Sequence, residues 1–147
     1  MEVSQLYEQD FYAWAMKNAE LLRQGRISEV DAMHLAEELE DMGKSNRRAL
    51  LSRLQVLITH LLKYQRQPHL RSRSWEMTIR NQRDVIHELL QESPSLRTVL
   101  NEPDKLAQAY IRAMREAVAE TGLAPDAFPA GCPFTLEQML DPELWPE

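Results

Sequence analysis

His34 and Glu38 stand one helical turn apart in "HLAEELED", with Glu37 and Asp41 beside them. In a helical bundle such residues offer metal ligation, and di-iron carboxylate proteins use a Glu-x-x-His pair on each of two helices. Here the order is reversed and the pattern occurs once. No His-Glu-x-x-His is present, and His60 and His87 lie in other segments. The residues therefore predict a solvated acidic face, with no metal and no cofactor. Cys132, in "AGCPF", has no neighbouring histidine to act as its base, so it reads as a buried structural thiol rather than a nucleophile. No Ser-His-Asp pattern has usable spacing. The chain reads as a non-enzyme.

A second kind of chemistry lies in "HLLKYQRQPHLRSRSWEMTIRNQR", residues 60–83, which holds six Lys or Arg against the single acid Glu76. Tyr64, His69 and Trp75 interleave with Arg66, Arg71, Arg73, Arg80 and Arg83, a mixture that can stack bases and grip phosphates. Ser72 and Ser74 sit by a helix start, itself a favourable place for an anion. Arg71, Arg73, Trp75, Arg80 and Arg83 are the candidate residues for an anion or a partner. Their competing role is architectural. From Lys44 to Arg83 the local charge is +9, and the rest of the chain carries −15. A basic middle between acidic flanks can be neutralised internally, arginine stems covering apolar surface while their heads pair with acids. The architectural role is the one we expect.

The elements that must position these residues are helical. Four glycines and the absence of period-two alternation predict an all-α fold. Tyr7, Phe11, Trp14, Ala15 and Leu22 predict a first helix over 4–23, stopped by Gly25. Ser28 caps the next in "SEVD". Its stripe runs Leu35, Leu39, Met42, Leu50, Leu54, Leu57, Leu61, Tyr64. Ending it at Gly43 would leave acids at a C-terminus and bases at an N-terminus, both against the helix dipole. One helix over about 29–65, kinked near Gly43, avoids this and gains Glu40→Lys44. Ser74 then caps a helix to about Glu92, with Trp75 on its apolar face. Pro94 opens a short helix to Leu100, and Pro103 opens a helix that Gly122 ends. Trp14 and Trp75 are assigned to the core, each indole N–H needing a carboxylate or carbonyl. Five prolines in the tail predict a strap over 123–147, docked through Phe128, Phe134, Leu136, Leu140, Leu144 and Trp145, with Thr135 and Gln138 in capping-box spacing.

At 147 residues the chain fits one helical domain, 1–147, including the strap. One cysteine, no basic-then-apolar leader and no apolar run near 18 residues predict a cytoplasmic protein that does not enter a membrane.

"LYEQDFYAWA", "LAEELEDMGKSNRRAL", "FPAGCPFTLEQMLD" and the "RSRSW…TI…QR" block resemble, across nearly the whole chain, the bacterial family catalogued as domain of unknown function twenty-nine. The resemblance implies a small, mostly helical protein and no established activity. It transfers no catalytic or binding residue. The expected function is thus a non-enzymatic helical interaction module, meeting another protein or a second copy through the basic region or the strap. Nucleic-acid or phosphate binding through Lys63–Arg83 is the alternative, and a metal-dependent helical enzyme the third.

Overall fold

The computed structural model describes residues 2–147. It is 79% helical and, among those residues, contains no strand. Seven α-helices follow one another: α1 (Val3–Gln9), α2 (Phe11–Arg23), α3 (Ala32–Arg66), α4 (Arg73–Glu92), α5 (Arg97–Leu100), α6 (Pro103–Thr121) and α7 (Leu136–Leu140). The chain packs as two compact units, one ending at Ser45 and the other spanning Asn46–Glu147.

In the N-terminal unit the expected single first helix is two. Asp10 breaks it with a non-helical backbone (φ −154°, ψ 86°), and its carboxylate accepts the Ala13 N–H at 3.0 Å. A short acidic side chain that can satisfy an orphan donor of the following turn favours a cap over helix interior. Gly25 takes φ +73° after α2, as the left-handed stop requires. The next cap is Asp31 rather than Ser28, because Ile27–Glu29 form a separate 3₁₀ turn. Asp31 accepts the backbone N–H of His34 on Oδ1, and its carbonyl accepts that of Leu35 at 2.9 Å. From there α3 continues through Gly43 without interruption. A Cβ at Gly43 would meet nothing within 4 Å, so close packing does not demand the glycine.

The C-terminal unit is built on the later α3 stripe. Leu50, Leu54, Leu57, Ile58, Leu61 and Leu62 are fully buried against Ile79 and Ile86 of α4 and Leu100 of α5. Each such side chain stabilises the fold by about 1.5–3 kcal/mol through burial. Helix α6 presents Ala109, Ala113 and Ala117 at four-residue spacing, all buried. Small side chains there let the Thr59 hydroxyl donate to the Ala113 carbonyl at 3.2 Å. Farther along, Lys63 Nζ lies 3.1 Å from Glu120 Oε2, so α3 and α6 run in the same direction. Ser72, not Ser74, caps α4, accepting the Trp75 N–H at 3.2 Å. Gly122 ends α6 at φ +72°.

The proline-rich segment after Gly122 packs as a strap on this core through Phe128, Phe134, Met139 and Leu140, with Leu136 and Trp145 partly covered. Thr135 and Gln138 make the reciprocal capping box that starts α7.

Candidate functional site

The arginine block splits between inside and outside. Arg83 is 1% exposed. Its Nε donates to the Met139 carbonyl at 2.7 Å and Nη2 to the Gln138 carbonyl at 3.3 Å. One turn on, His87 Nε2 donates to the Leu140 carbonyl at 2.9 Å. The last carbonyls of α7 have no partners within their own helix. Side chains at an i, i+4 spacing on α4 supply donors to three of them. Burial pulls the Arg83 guanidinium below its ordinary range, opposed by the charge of Asp141. Its Nη1 has no hydrogen-bond partner.

Arg71 follows the same rule. Its Nε donates to the Tyr64 carbonyl at 2.8 Å and Nη2 to the Pro146 carbonyl at 3.0 Å, with the guanidinium 4.2 Å from the Tyr64 ring centroid. Arg80 is exposed and lies 5.1 Å from the centroid of Trp145. Arg73 is exposed and, among the described residues, makes neither an ion pair nor a side-chain hydrogen bond. Trp75 is half-buried rather than core, and the Lys63 ammonium sits 4.8 Å above its ring.

The expected carboxylate partners are therefore found only at Lys63, which pairs with Glu120. At Arg71, Arg80 and Arg83, backbone carbonyls and aromatic faces take their place. Those groups are available because the strap ends its helix against α4 and leaves its terminal carbonyls unpaired by the backbone. This role is invisible to a count of charges.

The acidic cluster around His34 is also organised differently from a metal site. Asp31 Oδ2 accepts from Trp14 Nε1 at 2.9 Å and from His34 Nδ1 at 2.7 Å. Asn18 completes the network: its Oδ1 accepts the Asp31 N–H at 2.9 Å and its Nδ2 donates to the Trp14 carbonyl at 2.8 Å. The Tyr7 ring stacks on the imidazole at 3.9 Å, and its hydroxyl donates to Glu38. That hydrogen bond, then burial and the charges of Glu38, Glu37 and Asp41, push the Tyr7 hydroxyl up to about 12. Among the described residues, no three His, Cys, Asp or Glu side chains are placed to hold a metal ion. His60 Nδ1 donates to the Val56 carbonyl.

Desolvation pushes the Asp31 carboxyl up, but the hydrogen bonds from Trp14 and His34 outweigh it and hold it below the usual range. The Asp31 bond raises His34; burial opposes this, and the charges of Asp31, Glu37 and Glu8 add to it. A raised histidine contributes stability below its unfolded value, about 6.5, and loses it as pH rises through the folded value. The His34 ring protons should thus titrate above the unperturbed midpoint in an NMR pH series, and Asp31→Asn should return them toward it. A His34 midpoint at or below the unperturbed one contradicts the assigned pairing.

Cys132 is exposed, not buried as expected. Desolvation still raises its thiol, countered by the contact with the Phe134 carbonyl, so the sulfur is a poor nucleophile.

The large exposed apolar side chains escaped sequence reasoning. Of eleven among the described residues, eight lie before Ser45: Phe11, Tyr12, Met16, Leu22, Ile27, Met33, Leu39 and Met42. The α3 stripe is apolar from Leu35, yet Leu39 and Met42 are each 65% exposed and full burial begins at Leu50. A helix-period pattern reports that a face is apolar, not which part of it is covered.

Among the described residues, no helix is long and apolar enough to cross a membrane. No curated protein and no solved structure matches the chain. The family described as Domain of unknown function DUF29 matches residues 6–145, and with nearly the full length aligned to it, this all-helical chain belongs to that family.

Proposed function

We propose that this protein is a non-enzymatic interaction module that associates with a second copy of itself. The apolar, acidic face of residues 11–42 meets the basic Leu70–Arg80 surface of the other copy. The observation that carries this is the uncovered first half of the α3 stripe. An amphipathic helix draws most of its stability from packing of its apolar face, and Leu39 and Met42 are left mostly uncovered.

Charge selects the occupant. Residues 1–45 hold ten carboxylates and four Lys or Arg, whereas residues 46–147 hold thirteen of each. The whole net charge of −6 thus belongs to the N-terminal unit. On α4, exposed Met77 stands between Arg73 and Arg80 at helical spacing, with exposed Leu70 and Arg66 nearby. Each copy therefore carries an apolar surface with an acidic surround and another with a basic surround. Such complementarity sets register and speeds encounter.

Light scattering after size exclusion tests this at low and high salt. The wild type is expected to associate at low salt, less so as salt rises. Leu39→Ser with Met42→Ser, or Arg73→Glu with Arg80→Glu, should be monomeric while keeping the helical circular dichroism. These sites are exposed, so each change costs roughly 0.5 kcal/mol or less of stability. A wild type that stays monomeric at high concentration and low salt ends the proposal.

A further inference from the structure

A cleft of about 240 Å³ lies between α3 and α6. Arg48, Ser52 and Gln55 line one wall, and Lys105, Gln108 and Arg112 the other. The spacings are i, i+4, i+7 and i, i+3, i+7, so each set occupies one helix face. Three cations converge there and no carboxylate lines the space. Among the described residues, none of the three makes an ion pair. Like charges gathered without a counter-charge repel, and the gathering turns favourable when an anion enters. Two guanidiniums give forked donors matched to phosphate oxygens, and Ser52, Gln55 and Gln108 add neutral donors.

Size and surroundings narrow the ligand. Drug-sized ligands occupy pockets of roughly 300–1,000 Å³, so this one suits a smaller molecule. Beyond Gln55 the same two helices line a second cleft of about 330 Å³ with His60, Glu116 and Glu120. A polyanionic strand following the groove would run into those carboxylates. We propose that the α3–α6 cleft binds a small phosphate-bearing anion, of the size of diphosphate or a short phosphorylated compound, with the phosphate held by Arg48, Lys105 and Arg112. This site is separate from the proposed self-association surfaces.

Isothermal titration of the full chain with inorganic diphosphate tests it, with a single-stranded oligonucleotide as the second titrant. Saturable binding of one diphosphate per chain is expected. Arg48→Gln and Arg112→Gln should each weaken it by about tenfold or more, the usual effect of losing a charge-assisted contact. Arg97→Gln, at an exposed arginine outside the cleft, should leave it unchanged. Both cleft arginines are exposed, and circular dichroism checks that the variants fold. Three results overturn the proposal: no saturable binding at millimolar diphosphate, affinity indifferent to both cleft variants, or tighter binding of the oligonucleotide than of diphosphate.

Discussion

Replacing Arg83 with alanine should destabilise the protein by about 3–5 kcal/mol, since each of its two hydrogen bonds runs from a charged group to a carbonyl and contributes about 1.5–3 kcal/mol. The substitution strips the Met139 and Gln138 carbonyls of their donor and removes the guanidinium that lies 5.7 Å from the Trp145 ring centroid. One effect opposes the loss: the buried cation, with Nη1 unpartnered, carries a desolvation cost that disappears with it. Arg83→Met separates the two, keeping most of the stem while deleting the charge, and should cost less than alanine. Urea denaturation followed by circular dichroism measures both as a lower midpoint with little change in slope. An alanine variant within about 1 kcal/mol of wild type would show that α7 does not depend on this guanidinium.

The second large effect is expected at Asp31. Its carboxylate caps α3, accepts the buried Trp14 indole and holds His34. Asp31→Ala should cost about 2–4 kcal/mol, combining a lost N-cap with a stranded buried donor. Asp31→Asn keeps an acceptor and a cap and should cost less. The carboxyl is held below its ordinary value, so its contribution is present above roughly pH 4 and fades as pH falls through the folded value. His34 contributes in the opposite sense, so the pair supports the N-terminal unit most between about pH 4 and 6.5. Near-ultraviolet circular dichroism of the Trp14 environment reports the loss. An alanine variant with wild-type signal and stability would refute the assignment.

Helix type and the unbroken run through Gly43 were legible, because the dipole argument depends on local sequence alone. The stops at Gly25 and Gly122 and the Thr135–Gln138 box were legible for the same reason. Caps were less so: Ser72 competes with Ser74, and Asp31 with Ser28, and the winner depends on where the backbone enters the packed structure. The division of the arginines was not legible. Their partners are carbonyls at Met139 and Pro146, which become acceptors for α4 and its approach only once the strap is in place. The α3–α6 cleft escaped because Lys105 and Arg112 lie outside the basic middle and join Arg48 only through the parallel course of two helices.

The bonds from Arg83 to Met139 and from Arg71 to Pro146 bridge 56 and 75 positions of chain. Contacts of such separation form late, because closing long loops is entropically costly. Five residues are too few for α7 to persist alone, so it winds only as it lands on Arg83. Refolding is thus expected to include a stage with the leucine row assembled and Phe128, Phe134 and Leu140 still bare. Losses to aggregation should concentrate at that stage and grow with protein concentration.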